Sequence, residues 1–247
     1  MTFKITSVYD EGALERTQLI GAKGFSALVE ADGKKVLVDT GMRGRYLMHN
    51  LDMLDVKADD LDAVVITQAN KENSAGLGHL LEARTEPVKV FAPKAVFTPR
   101  KGFLSRGLDE EVLPKAEQIE VVGWTEVVPK VHVTKPFVTT DGYSESYVVV
   151  EASKLTVVSG YCHGGPDFVI SEVNDRFQRK VRAFVGSVRL EKEKNTVAVA
   201  YAKCFESYGV TDLYLNHATG RSGMTGLRSH LGLHGVNDFY VGTVFEP

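Results

Sequence analysis

Four apolar segments of this chain each run directly into a short polar cluster: Asp39-Thr-Gly41, Thr67-Gln-Ala-Asn-Lys-Glu-Asn-Ser74, Gly160-Tyr-Cys-His163 and Asn216-His-Ala-Thr-Gly220. A short apolar run bounded by turn residues reads as a buried strand, and such a strand presents its polar side chains where it ends. Four ends of this kind in one chain demand a sheet system whose strand termini gather, and function is expected where they converge.

The segments between them fit that demand. Strands are expected at Phe3–Tyr9, 24–31 and 35–39, the last two joined by the Asp32-Gly33 turn as a hairpin. Helical spacing covers 45–54, 77–83, 168–176 and 196–208, and further strands are expected at 63–67, 88–91, 120–122, 126–133, 146–151, 155–159, 181–188, 212–215 and 238–245. Residues 68–76 and 220–226 read as loops, the second leading into a helix at 227–231. A stretch rich in proline, glycine and charge runs to Pro114 as a surface excursion able to cover a site. Alternating strands and helices with several hairpins predict a layered α/β domain rather than one parallel sheet. At 247 residues, a single domain spanning 1–247 buries a large core without disulfides or a structural metal.

Composition narrows the partners. The formal charge is −3 with acidic and basic residues interspersed, so no field exists to hold nucleic acid or an anionic membrane. No apolar run approaches the roughly 20 residues of a membrane helix, and a cytoplasmic location is expected. Cys162 and Cys204 lack C-x-x-C spacing and read as free thiols.

The order and spacing of the clusters resemble the metallo-β-lactamase superfamily, in particular its dihydropterin ribofuranosyl-aminobenzene phosphate synthase-like branch. The G-F-S and D-T-G elements of that branch correspond to Gly24-Phe25-Ser26 and Asp39-Thr40-Gly41. Its metal motif S-H-x-H-x-D-H-x-x-G-L falls on Thr67 to Leu77, which reads T-Q-A-N-K-E-N-S-A-G-L. Its G-C-S-H-x-G and H-C-T-G motifs fall on residues 160–165 and 217–220 and keep His163 and His217, while Arg189 stands where the branch has histidine. The resemblance implies a four-layer αββα sandwich, and a dinuclear metal centre whose donors this chain has largely replaced.

The replacements carry chemistry. Amide oxygens of Gln68 and Asn70 are much weaker zinc donors than imidazoles, so no dinuclear zinc centre is expected. Lys71 and Arg189 bring fixed positive charge, and a guanidinium grips phosphate or carboxylate through a planar fork. The favoured reading is a binding protein without a cofactor. It holds a small anionic ligand, pterin- or phosphate-bearing by resemblance, on Asp39, Gln68, Asn70, Lys71, Asn73, Cys162, His163, Arg189 and His217. The alternative is a hydrolase or phosphoester enzyme with one divalent metal, Zn or Fe, on Glu72, His163 and His217. A third reading makes the fold a subunit platform with a vestigial cleft. His49, His79, His132, His230 and His234 read as surface or packing residues, and Arg100, Lys101 and Arg106 as a solvated loop able to guide an anion. Arg43 and Arg45 start a helix after Asp39-Thr-Gly41, and the sequence leaves their direction open.

Overall fold

The computed structural model describes residues 2–98, 111–139 and 142–247. Arg100, Lys101 and Arg106 lie outside the described residues, as does much of the expected excursion.

The first half of the chain lays down β1 (Phe3–Tyr9), β2 (Ser26–Ala31), β3 (Lys34–Val38), α1 (Gly44–Met53), β4 (Ala63–Val65), α2 (Lys71–Ser74), α3 (Leu77–Glu82), β5 (Val88–Ala92), α4 (Lys94–Phe97) and β6 (Ala116–Glu120). The second half adds β7 (Thr125–Val128), β8 (Val131–Val133), β9 (Phe137–Val138), β10 (Ser144–Glu145), β11 (Val148–Glu151), β12 (Leu155–Ser159), α5 (Pro166–Phe177) and β13 (Val181–Gly186). It continues through α6 (Asn195–Tyr208), β14 (Asp212–Leu215), α7 (Gly220–Leu231), β15 (Val236–Asp238) and β16 (Val244–Phe245).

Among the described residues two seven-stranded sheets form, in the orders β16-β1-β2-β3-β4-β5-β6 and β15-β14-β13-β12-β11-β8-β7. Each is mixed. β1, β2 and β3 pair antiparallel and β3 to β6 parallel, while β7, β8, β11 and β12 pair antiparallel and β12 to β15 parallel.

Alternation along the strands builds three apolar layers. Ile5, Val29, Val38 and Val65 meet Val133, Val150, Val158 and Val185 between the sheets. The opposite faces pack outward, Leu28, Leu37 and Val64 against Leu47, Leu51 and Leu77, and Val157 and Phe184 against Val169, Ala202 and Leu227. Helices therefore cover both outer faces, which is the expected αββα sandwich. No helix among the described residues is long and apolar enough to cross a membrane.

Several expectations are corrected. Residues 220–226 are not a loop but the first turns of α7. Gly223 and Gly226 lie where α7 touches its neighbours: an added Cβ would sit 2.6 Å from Leu190 Cβ and 2.8 Å from Ala198 Cβ, respectively. Those glycines serve close approach rather than a turn. The segment 68–76 contains α2, nucleated by Asn70 as N-cap. Residues 126–133 divide into β7 and β8 around Lys130 at φ 67°. The strand expected at 120–122 lies earlier, as β6. The strand expected at 238–245 divides into β15 and β16, which join different sheets.

Phe25 is 2% exposed and belongs to the inter-sheet layer. Gly186, from the other sheet, leaves room for its ring: a Cβ there would lie 3.2 Å from Phe25 Cζ. Phe25→Ala is expected to cost about 3–5 kcal/mol, measured as a lower urea midpoint at unchanged slope.

Candidate functional site

The four polar clusters meet at one edge of the sandwich. Gly160, after β12, lies against the first two clusters: a Cβ there would fall 2.4 Å from Asp39 Oδ2, 2.4 Å from Thr67 Oγ1 and 2.5 Å from Asn73 Nδ2. Ser187 N donates to the Ser159 carbonyl at 3.0 Å, Ser187 Oγ to the Tyr161 carbonyl at 2.9 Å, and Leu190 N to the Ala218 carbonyl at 2.9 Å. The convergence expected from the sequence is thus present.

Its floor is a closed hydrogen-bond network. The Asp39 carboxylate is fully buried and accepts from Thr67 N (2.8 Å), Thr67 Oγ1 (2.7 Å) and Asn73 Nδ2 (2.6 Å). Asn73 Oδ1 in turn accepts from Gln68 Nε2 at 3.2 Å. Asn70 Oδ1 accepts from the backbone N–H groups of Glu72 (2.8 Å) and Asn73 (3.1 Å), starting α2. These amides, expected to line a ligand pocket, hold the metal-motif loop together instead; Asp39, Gln68 and Asn73 are all under 4% exposed.

A second carboxylate closes the third cluster. Glu145, on β10, accepts from Tyr147 OH, from Cys162 N at 3.1 Å and from the backbone N–H groups of His163 and Gly164. Successive amides make a nest for an anion, and here the chain's own side chain fills it. The Cys162 thiol is fully buried, and that burial, with the nearby Glu145 charge, pushes its pKa well above the ordinary thiol value. Neither its access nor its acidity suits a nucleophile.

Above this floor stands a wall of rings. Tyr143 stacks on His163 (centroids 4.1 Å, planes 10° apart), His163 packs on Tyr161 (4.5 Å), and the Arg189 guanidinium lies 5.8 Å over the Tyr161 ring. Arg189 has φ 42°, an unusual left-handed conformation for a non-glycine residue, held by its N–H to Ser187 Oγ at 3.2 Å. Asp39 (φ 57°) and Cys162 (φ 66°) share that conformation at their own strand ends.

The fourth cluster holds His217 through a residue that sequence reading missed. Asp10, fully buried after β1, accepts from His217 N (3.0 Å), pairs with His217 Nδ1 (2.7 Å) and accepts from Gly12 N (3.0 Å). Burial lowers the imidazole pKa, but the Asp10 hydrogen bond and charge, with Glu11 and Glu72 farther off, outweigh it and leave it raised. His217 Nε2 is buried without a hydrogen-bond partner among the described residues.

The metal donors implied by the resemblance are not assembled. Glu72 is paired with Lys23 at 3.2 Å, and the Asn70 and Asn73 oxygens are committed as described. Among the described residues no group of three or more His, Cys, Asp and Glu is placed to hold a metal, Glu72, His163 and His217 included.

Comparison with known proteins places this architecture. The chain superposes on a metal-dependent hydrolase of the β-lactamase superfamily with TM-score 0.82 and 23% identity, covering 99% of both chains. It superposes on the metallo-β-lactamase-fold protein YhfI of Bacillus subtilis with TM-score 0.71 and 14% identity, over the whole of both chains. A diphosphatase of the PhnP family gives TM-score 0.64 and 16% identity, covering 100% of this chain and 98% of that one. The fold is the metallo-β-lactamase fold. By sequence, the chain is 31% identical over 103 residues to an uncharacterised protein of Methanocaldococcus jannaschii, a match covering 40% of each chain. It is 37% identical over 60 residues to exodeoxyribonuclease WalJ of Streptococcus pneumoniae, a match covering 24% of this chain and 22% of that protein. The matches thus span less than half the length of these curated relatives. No protein-family profile matches.

Burial raises the Asp39 pKa from 3.8 to about 7 against the pull of its Thr67 and Asn73 donors. An acid raised in the folded state contributes stability below its unfolded pKa and loses it as pH rises through the folded one. Asp39 is therefore expected to make the chain less stable at pH 8 than at pH 5. In Asp39→Asn that part of the slope should vanish, read from urea unfolding at both pH values, although the variant starts less stable.

Proposed function

We propose that this chain is a metallo-β-lactamase-fold protein that binds a small anionic ligand, pterin- or phosphate-bearing, in the cleft at the converging strand ends, without a dinuclear metal centre. The observation that carries the reading is Arg189: a guanidinium placed over Tyr161, the ring on which His163 also packs, at a position where the resemblance implies a metal-ligand histidine. A guanidinium neutralises an anion and orients it through two parallel hydrogen bonds, without the Lewis acidity of a metal. The ring wall of Tyr143, His163 and Tyr161 suits a planar group beside that charge.

The committed amides of Gln68, Asn70 and Asn73 shift the reading's weight. Their part is to replace a metal as the tie that holds the loop, leaving the ligand to Arg189, Lys71, His163 and His217. The neighbours' hydrolase activity depends on the chemistry of their own sites, and the donors here argue for binding rather than metal-assisted hydrolysis.

Calorimetric titration with inorganic phosphate and with nucleoside and pterin monophosphates checks this. Binding should persist in EDTA, and Arg189→Ala should weaken it by about 1.5–3 kcal/mol, the worth of a charged hydrogen bond. Binding that disappears in EDTA yet survives Arg189→Ala would establish the one-metal enzyme on Glu72, His163 and His217 instead. Elemental analysis of protein purified without chelator should find fewer than two zinc equivalents per chain; two tightly held equivalents would overturn the metal-free reading.

A further inference from the structure

Beside the cleft, between the segment after β1 and the first turns of α7, lies a second concavity of about 570 Å³. Sites for small molecules occupy roughly 300–1,000 Å³. Of the cleft residues only His217 lines it; Arg189, Lys71 and His163 do not.

Its charges separate into satisfied and unsatisfied sets. Asp10 is engaged by His217 and Gly12, and Arg228 donates to Asp238 at 2.9 Å and to the Val236 carbonyl at 3.1 Å. Three lining side chains make no hydrogen bond or ion pair among the described residues: Arg221, Glu11 and Glu191. The nearby Lys23 feels both glutamates through space, but its own ion pair goes to Glu72.

The wall also holds buried polar atoms without partners. Asn216 is 3% exposed and its Nδ2 donates to nothing among the described residues, and Nε2 of His217, whose side chain is 7% exposed, has no hydrogen-bond partner among them either. Buried polar atoms are nearly always met, so two adjacent unmet groups lining one cavity mark a place where a partner enters from outside.

We propose that this cavity binds a small zwitterion of the α-amino-acid class, its carboxylate on Arg221 and the Asn216 amide, its ammonium between Glu11 and Glu191. Two unpaired carboxylates would repel a simple anion, and Arg221 with the Asn216 donor would reject a simple amine. Leu215, Met224 and the Tyr240 ring supply apolar wall for a side chain. The proposal uses none of the Arg189 chemistry and shares only His217 with the anion reading.

Calorimetric titration of the intact chain with each of the twenty α-amino acids tests it, together with the deaminated acid and decarboxylated amine of the tightest binder. At least one amino acid should bind saturably at one per chain, with either truncated analogue weaker by at least about tenfold, the usual loss when a charged hydrogen bond goes. Arg221→Ala should weaken the amino acid but not the amine, and Glu191→Gln the amino acid but not the acid. Both residues are exposed, so the fold survives either change. Arg189→Ala should leave amino-acid binding intact. Failure of all twenty to bind, a deaminated acid as tight as its parent, or loss of amino-acid binding in Arg189→Ala would each overturn the proposal.

Discussion

Asp39 fastens the two sheets to each other at the functional edge. Its backbone N–H donates to the Val65 carbonyl at 2.7 Å and its carbonyl accepts from Ser26 Oγ at 2.8 Å, tying β2, β3 and β4 at one point. Its carboxylate gathers Thr67 and Asn73, and Thr67 returns a carbonyl to Ser146 N of the opposite half at 2.8 Å. Gly160 completes the junction by having no side chain to obstruct it. In a site this dry, each of those hydrogen bonds is stronger than in water, and removing any member strands the others. The same dryness resists ionisation of the carboxylate, so the donors that position Asp39 also oppose its burial penalty.

That arrangement repeats on a smaller scale around the cleft. Glu145 fills the amide nest of residues 162–164, Asp10 holds His217, and Glu72 is matched by Lys23. Each of these strand-end loops is thereby fixed by a carboxylate of this chain. Separate pairs fix each loop independently of the others.

The sheets were legible because alternation is a local signal: β1, β12 and β14 begin and end where the sequence pattern does. The strand-end clusters were legible for the same reason, since each follows its strand directly. Asp10 was not, because its partner His217 lies 207 residues away and no local spacing connects them. The amides misled in a different way. In the sequence Asn70 reads as a weakened metal ligand in a loop, whereas its oxygen, placed against two backbone N–H groups, caps the start of α2. Glycine misled in α7, where the usual turn signal conceals a requirement for close helix packing that costs about 1 kcal/mol of helix propensity per residue.

Backbone strain links these points to function. Left-handed non-glycine residues cost of order 1–3 kcal/mol each and persist only where surroundings over-determine them. Asp39 and Cys162 occupy that region at two of the four converging ends, and Arg189 does so in the segment after β13. For Asp39 the compensation is visible in its own donors, and for Cys162 in the Glu145 carboxylate that accepts its N–H. Arg189 differs: its backbone is secured by Ser187, yet among the described residues its side chain makes no hydrogen bond or ion pair and lies 5.8 Å over the Tyr161 ring. On the anion reading proposed above, strain held to place a half-buried guanidinium over the Tyr161 ring, with no carboxylate paired to it among the described residues, fits an anion supplied from solution. The strain of the first two residues completes the scaffold, and that of the third sets the Arg189 guanidinium over the Tyr161 ring.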